Sequence, residues 1–321
     1  MRDPSEEPPA FDADDEVRLM FLCCDPSLTR AAQIVLVLNV ACGFTAKQIA
    51  TAFVSDERAI AQRLVRAKQH LRERGVRFDI PATDALPARL GAILDVLYLV
   101  FSEGFSPSVG EEAFDHERCA EWLRFVRLLT SRPDTALPPT YALRALLCFH
   151  ASRASARIAD DGALLLLPEQ DRGKRDTDSM VEAWECLGRA SAGTELTRFH
   201  VEAGIAASHA AAATYAGTDW ATVLELYDAL DTMASSLVVD VNRAWAVAML
   251  EGARAGLDEL DAIPERDAIS RYPYALAACA DLHASLGEIE QALGYLDRAI
   301  KQQPAEGQWK LLNRKRAALA R

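Results

Sequence analysis

The amino-acid sequence predicts an all-α protein, in which a helix-turn-helix domain is followed by an α-helical solenoid, with one small β-hairpin. Three observations support this fold class. Apolar residues recur at helical spacing along most of the chain, and residues 44–73 have the pattern of two short helices that meet at a tight turn. From residue 177 onward, apolar triplets repeat at intervals of 33 and 36 residues, which is typical of stacked helix pairs.

Composition limits the classes of protein to consider. The chain has 321 residues, of which 50% are hydrophobic and 26% are charged, which is enough for two or three packed domains. The acidic N-terminus lacks the apolar core of a signal peptide, and no uncharged stretch is long enough to cross a bilayer, so we expect no membrane association. Seven cysteines without a paired pattern predict reduced thiols and a cytoplasmic location.

The pattern divides the chain into four segments. Residues 1–15 contain three prolines and six acidic groups and are predicted to be a disordered linker. Residues 16–77 form the predicted helix-turn-helix domain, residues 88–176 a helical middle domain with the β-hairpin, and residues 177–321 the helical repeats. Breaker residues in 75–87, including Pro81, predict the connection out of the first domain.

The first domain begins with two predicted helices, at residues 15–24 and 30–42, and Thr29 is expected to cap the second. Cys23, Cys24 and Cys42 raise the possibility of a metal site. Adjacent cysteines on one helix do not easily face one ion and no Cys-x-x-Cys spacing is present, so we expect buried thiols and no metal.

The next two helices, at residues 46–53 and 55–74, are the centre of the prediction. Ser55 is expected to cap the second helix, which should end at Gly75. Its apolar positions, Ile60, Leu64, Ala67 and Leu71, are spaced by four, three and four residues and form one helical face.

The opposite face of this helix and its flanks are polar and basic. Arginine and glutamine can bond base edges in a bidentate manner, and neighbouring cations can hold phosphates, so this face is a candidate for insertion in a major groove. The alternative is an ordinary helical hairpin with a solvated basic face. The candidate DNA-binding residues are Ser55, Arg58, Gln62, Arg63, Arg66, Lys68, Gln69 and Arg72.

Charge is distributed unevenly along the chain. The net charge is −12, yet residues 27–77 carry +6, whereas residues 1–26 carry −6 and residues 78–300 carry −17. A basic island in an acidic chain is typical of a local nucleic-acid-binding module rather than of a protein that coats nucleic acid.

The middle domain is predicted to contain helices at 88–101, 114–131 and 139–159, the first of them strongly apolar. Asp161-Gly162 is a turn dipeptide between Arg157-Ile158 and a run of four leucines, which predicts the hairpin. In the repeats, the interval between apolar triplets is close to the 34 residues of tetratricopeptide helix pairs. The basic final helix, 308–320, is expected to cap the solenoid.

Residues 43–68, GFTAKQIATAFVSDERAIAQRLVRAK, resemble region 4 of the extracytoplasmic-function sigma factors of RNA polymerase, which reads the −35 promoter element. The resemblance extends over about residues 16–321, to the subgroup of these factors with a tetratricopeptide-like C-terminal extension. The segments that carry it downstream are YLVFSEGF (98–105), PEQDR (168–172), TDW (218–220) and NRAWAVAM (242–249).

The resemblance implies recognition of a promoter −35 element, with promoter DNA and RNA polymerase core as partners and a possible protein partner on the C-terminal repeats. Region 2, which binds the polymerase clamp and melts the −10 element in this family, has no counterpart in the sequence. The alternative is a tetratricopeptide-type interaction adaptor with a vestigial helix-turn-helix. No phosphate loop, metal cluster or catalytic triad is recognisable, so we expect neither enzyme activity nor a cofactor.

Overall fold

The computed structural model describes residues 13–41, 43–52, 55–76, 86–105, 116–264 and 266–320. These residues form sixteen α-helices and no strand, which confirms the all-α class. The chain divides into two compact units. Unit 1 comprises residues 1–102 and 120–136, and unit 2 comprises residues 103–119 and 137–321. The predicted middle domain is therefore shared between the two units.

The described residues of unit 1 form six helices. They are α1 (Ala13–Cys23), α2 (Arg30–Leu36), α3 (Ala46–Ala52), α4 (Glu57–Glu73), α5 (Leu86–Phe105) and α6 (His116–Thr130).

The predicted helix at 30–42 is interrupted. Thr29 caps it as expected, since its hydroxyl oxygen accepts from the Ala32 N–H (3.3 Å), but the α-helix ends at Leu36 and continues as the π-helical turn Val37–Ala41. The Asn39 side-chain amide then donates to the Phe44 carbonyl oxygen (2.8 Å), and Gly43 has a φ of +72°. The wider turn and the left-handed glycine direct the chain into α3.

The core of unit 1 contains buried side chains of α5 and α6. The apolar face predicted for α5 is buried at Leu90, Ile93 and Leu97. Trp122 of α6 is 1% exposed and stacks against Phe125, with ring centroids 6.2 Å apart. The Arg30 guanidinium also donates to the Ala92 carbonyl oxygen (2.8 Å), which fixes α2 against α5.

Ten further α-helices lie in the part of unit 2 that the structure describes. They are α7 (Pro138–Ser152), α8 (Thr177–Ala190), α9 (Arg198–Ala211), α10 (Trp220–Ala234), α11 (Leu237–Glu251), α12 (Ala253–Ala262), α13 (Arg266–Ile269), α14 (Pro273–Ser285), α15 (Ile289–Lys301) and α16 (Glu306–Leu319). The predicted helix at 139–159 is shorter than expected, because it ends at Ser152 and is followed by a 3₁₀ turn at Ala154–Ala156.

The predicted β-hairpin is wrong as a pair of strands. The Asp161-Gly162 turn forms, with a Gly162 φ of +79°, but only one antiparallel bridge joins Ile158 and Leu164. The Leu164 N–H donates to the carbonyl oxygen of Gly307 (2.9 Å), and the leucine run then enters the 3₁₀ turn Leu167–Glu169. Two backbone hydrogen bonds join the arms, from the Ala159 N–H to the Ala163 carbonyl oxygen (2.9 Å) and from the Leu165 N–H to the Arg157 carbonyl oxygen (2.7 Å). The 3₁₀ turn ends this pairing before a two-stranded ladder forms.

The later helices of unit 2 share a continuous series of apolar cores. One core joins α9, α10 and α11, the next joins α11, α12 and α14, and the third joins α14, α15 and α16. Each of α11 and α14 contributes to two cores, so these helices bury their faces by packing against both preceding and following neighbours.

Helix α16 is tied to unit 2 by its basic side chains. Arg314 pairs with Glu169 (2.6 Å), Lys315 with Asp281 (2.6 Å) and Arg316 with Asp297 (2.6 Å). These three cations of the final helix are thus engaged in ion pairs within the unit.

Candidate nucleic-acid interface

Helix α4 has two chemically different faces. Ile60, Leu64, Ala67 and Leu71 are buried, and α4 packs against α2 and α3. The predicted apolar stripe is therefore confirmed as the packed side of the helix.

The opposite side of α4 is open. All eight candidate DNA-binding residues are exposed: Ser55, Arg58, Gln62, Arg63, Arg66, Lys68, Gln69 and Arg72. Within the described part of the chain, the side chains of Arg58, Gln62 and Arg66 form no hydrogen bond or ion pair. Their donors face solvent along the same side of the helix.

Two members of the candidate set are held by neighbours. The Lys68 ammonium donates to the Asn39 side-chain oxygen (2.8 Å), and the Gln69 amide donates to the Glu73 carboxylate (2.7 Å). Asn39 also binds the Phe44 carbonyl oxygen, so one side chain links the π-helical turn, the start of α3 and α4. No local sequence pattern indicated this role of Asn39, because it depends on a residue 29 positions away.

The predicted cap of α4 is wrong by one position. Asp56, not Ser55, is the N-cap residue, with φ −77° and ψ 132°, and its carboxylate accepts from the Ala59 N–H (2.9 Å). Both residue types are good caps, and the backbone places Asp56 at the point where helical geometry begins. Ser55 remains exposed just before the helix, where its N–H donates to the Ala50 carbonyl oxygen (2.9 Å).

A network of polar side chains ties α4 to its neighbours in unit 1 and sets its orientation. The Arg89 guanidinium donates to Asp25 (3.1 Å), the Asp25 carboxylate accepts from the Ser27 hydroxyl (2.6 Å), and Ser27 meets the His70 imidazole (3.1 Å). The network connects α5, the turn between α1 and α2, and α4. Sequence reasoning missed these four residues, because they lie far apart in the chain.

The α3 helix adds an exposed cation that the sequence-based set omitted. Thr45 and Gln48 cap α3 reciprocally, since Gln48 N–H donates to the Thr45 hydroxyl oxygen (3.2 Å) and Thr45 N–H donates to the Gln48 side chain (2.9 Å). Lys47, in the first turn, is exposed. The connection from α3 to α4 spans residues 53–56, of which Phe53 and Val54 lie outside the described residues.

The two described cysteines of this unit are structural. Cys23 and Cys24 are buried, as predicted, and burial raises the pKa of the Cys23 thiol to about 12 while the Lys68 charge lowers it to a lesser degree. Burial likewise raises the pKa of Cys24. The described residues contain no group of His, Cys, Asp or Glu side chains suited to holding a metal ion. Cys42 lies outside the described residues.

No helix in the described part of the chain combines the length and the apolar character needed to cross a bilayer.

Comparisons with known proteins identify relatives without assigning an activity. Residues 89–191 match a family model described as a family of unknown function (DUF6596). An uncharacterized protein of Rhizobium meliloti (strain 1021) is 37% identical over 287 residues, which cover 89% of this chain and 67% of the relative. No solved structure matches. The extent and identity of this alignment show that the chain belongs to the same family as the uncharacterized Rhizobium meliloti protein.

Proposed function

We propose that unit 1 carries a helix-turn-helix that reads a promoter −35 element as part of an RNA polymerase sigma factor, and that the helical repeats of unit 2 regulate it or bind a partner. The observation that carries this proposal is the two-faced α4 helix. Its apolar side is buried, and its Arg58, Gln62 and Arg66 side chains are exposed on the opposite side.

The dimensions and chemistry of α4 suit a recognition helix. Its 17 residues correspond to a length of about 25 Å at the α-helical rise, enough for several base pairs of a major groove. The four-residue connection from α3 has the length usual in helix-turn-helix units. Exposed Arg and Gln side chains supply donors suited to guanine and adenine edges, and we assign phosphate contacts to the exposed Arg63 and Arg72.

The hydrogen bonds around α4 favour a rigidly held recognition helix over a loosely held helical hairpin. The Asp56 cap fixes its first turn, and the contacts of His70 with Ser27 and of Lys68 with Asn39 fix its orientation. Recognition helices gain specificity when their side chains are presented from a fixed backbone. An exposed basic face without such support would read sequence poorly.

In this proposal the polymerase-clamp and promoter-melting functions require a region 2. The alignment leaves a third of the Rhizobium relative unmatched, and that part is where we would look for a region 2 in the relative.

One observation favours the alternative role of a tetratricopeptide-type adaptor. Unit 2 exposes several large apolar side chains on its stacked helices, namely Met233 (43% exposed), Val238 (49%), Leu250 (49%) and Trp309 (46%). In the last helix pair the small Ala280 and Ala292 are fully buried, and Gly287 has a φ of +77° between α14 and α15, which supports the proposed tetratricopeptide-like repeat. Such a surface suits an apolar segment of another protein.

The test uses the full chain and a randomised pool of DNA duplexes. We expect repeated selection to enrich one sequence class, and fluorescence anisotropy to show binding that weakens as salt rises. Arg66→Ala should weaken binding to the selected duplex by about 1–3 kcal/mol if Arg66 reads a base, or lower the salt slope by about one if it contacts a phosphate.

Arg298→Ala is the matched control, because Arg298 is exposed on α15 and its loss changes the net charge equally. Binding by Arg298→Ala should equal that of the unaltered protein. Failure to enrich any duplex, together with unchanged binding after Arg66→Ala, would leave the adaptor function as the better explanation.

A further inference from the structure

The C-terminal end of α9 in unit 2 is surrounded by basic side chains from a separate segment. The Arg172 guanidinium donates through Nη1 to the carbonyl oxygens of His209 (3.0 Å) and Ala212 (2.5 Å). Arg175 donates through Nη1 to the carbonyl oxygen of Ala210 (3.2 Å). Two arginines thus converge on the last turn of one helix, where they satisfy terminal carbonyl groups.

An aromatic wall, formed by the rings of His209, Tyr215 and Trp220, lies beside these arginines. The His209 and Trp220 rings lie 5.4 Å apart and nearly perpendicular, and the Tyr215 ring lies 5.2 Å from Trp220. The Trp245 indole N–H donates to the Tyr215 hydroxyl (2.8 Å) and holds that ring in place. The wall therefore has a fixed geometry, and it brings the TDW segment at 218–220 to the same helix end as the PEQDR segment at 168–172.

Three polar atoms in this wall are buried without a hydrogen-bond partner in the described structure: His209 Nδ1, Thr218 Oγ1 and Trp220 Nε1. Thr218 is 5% exposed and Trp220 is 8% exposed. A buried polar group without a partner loses its hydrogen bonds to water and gains none in return, so three in one place call for an explanation. Each of them can donate a hydrogen bond, histidine in one of its two tautomers.

The arginines also retain unused donors. A guanidinium has five N–H groups, and in the described part of the chain Arg172 and Arg175 bond only through Nη1. Their Nε and Nη2 groups are available to a further acceptor.

The electrostatic potential at this place is positive. Burial, followed by the charges of Arg153, Arg172 and Arg175, lowers the pKa of His209 to about 4. Burial and the charges of Arg157 and Arg175 lower the pKa of Arg153 to about 9, so that it still carries its charge at neutral pH. An acidic group is found next to Tyr227: burial and, after it, the Glu202 charge raise the pKa of the Tyr227 phenol.

From these groups we infer a binding site for a small oxyanion, a phosphate or carboxylate group, between Arg172 and Arg175 on one side and His209, Thr218 and Trp220 on the other. The three orphaned atoms can each donate, the two arginines are positively charged, and the carboxylate of the neighbouring Asp219 is already engaged with Thr222 at the start of α10. These groups favour a ligand group that accepts hydrogen bonds and is negatively charged. An anion would satisfy the three buried donors and the like charges together. This site is separate from the DNA-binding face proposed above, and its existence does not depend on that function.

The test titrates the full chain with sodium phosphate and with sodium succinate by calorimetry, against sodium chloride at equal ionic strength. We expect saturable heat from one or both oxyanions and none from chloride. Binding of phosphate alone or of succinate alone would identify which oxyanion the site takes. The indole N–H resonance of Trp220, assigned by its absence in Trp220→Phe, should shift as the site fills.

Thr218→Val removes one of the orphaned donors and keeps the side-chain shape. We expect it to weaken anion binding about three- to tenfold and to raise the melting temperature of the ligand-free protein, because an unsatisfied hydroxyl is lost. Thr232→Val is the control, since Thr232 is exposed on α10 and its hydroxyl already donates to the Ala229 carbonyl oxygen (2.7 Å). It should leave anion affinity unchanged.

Two results would overturn the inference. One is the absence of saturable binding for both phosphate and succinate. The other is a pair of observations: Thr218→Val binds the anion as tightly as the unaltered protein does, and the Trp220 indole resonance of the unaltered protein does not move during the titration. If Thr218→Val does not fold, an unmoved Trp220 resonance is sufficient to overturn the inference.

Discussion

Gly256 gives a direct test of how closely the helices of unit 2 pack. It lies in the first turn of α12 and faces α11. A Cβ added at this position would lie 2.4 Å from the Ala248 Cβ and 3.0 Å from the Ala244 carbonyl oxygen. Carbon atoms normally approach to about 3.5–4.0 Å, so Gly256→Ala requires α11 and α12 to separate by roughly 1 Å.

The energetic cost follows from what the new methyl group meets. Ala244 and Ala248 are buried, and an alanine Cβ is fixed to its backbone, so no side chain can rotate out of the way. Overpacking of this kind costs about 1–3 kcal/mol, and the better helix propensity of alanine returns up to about 1 kcal/mol. We expect Gly256→Ala to lower the free energy of unfolding of unit 2 by about 1–2 kcal/mol.

Gly294→Ala is the matched control. Gly294 lies within α15, is exposed, and has no heavy atom within 4 Å of an added Cβ. Without a clash, the same substitution should raise stability by about 0.5–1 kcal/mol.

The assay is urea denaturation followed by tryptophan fluorescence, because Trp184, Trp220, Trp245 and Trp309 all belong to unit 2. Amide hydrogen exchange on α11 and α12 would locate the effect. Equal or increased stability of Gly256→Ala, with Gly294→Ala behaving as expected, would refute the close approach of α11 and α12.

Three further predictions concern the caps, the histidines and the thiols. Asp56→Ala should destabilise unit 1 by about 1 kcal/mol whereas Ser55→Ala should have little effect, as measured by thermal unfolding; the reverse order would return the cap to Ser55. Stability should fall as pH is lowered from about 6.5 to about 4, since the unfolded His209 imidazole takes up a proton at its ordinary pKa whereas burial and neighbouring arginines delay protonation in the folded state. His209→Phe should remove on the order of 3 kcal/mol of that decrease in urea unfolding across this pH range, and parallel pH curves would contradict the assignment. Cys23 and Cys24 should resist alkylation at pH 8 in the native protein and react on unfolding, as mass spectrometry would show; rapid native labelling would mean that these thiols are not buried.

The periodicity of apolar residues was sufficient to predict much of the fold. The apolar stripe of α4 and the apolar face of α5 are patterns within one helix, so Ile60, Leu64, Leu90 and Ile93 could be assigned to the core from spacing alone. The exposure of Arg58, Gln62 and Arg66 followed from the same periodicity. DNA recognition by that face stays a prediction, because exposure is needed for binding but does not establish it.

The errors arose where two local solutions were almost equal or where another local structure cut a predicted strand short. Ser55 and Asp56 are both good caps, and the backbone turn after α3 decides between them. The hairpin has the expected turn at Asp161-Gly162 and two hydrogen bonds between its arms, but the leucine run enters the 3₁₀ turn Leu167–Glu169, so the pairing stops at one bridge.

The sequence by itself determined the helical class, the positions of most helices and the buried and exposed faces of α4, because these depend on residues three and four positions apart. Tertiary structure alone decided which distant residues meet. Arg89, Asp25, Ser27 and His70 become one network behind α4, and Arg172, His209 and Trp220 become one basic, aromatic cluster at the end of α9. Periodicity specifies the direction in which a side chain points from its helix, whereas the partner it meets depends on how the helices pack.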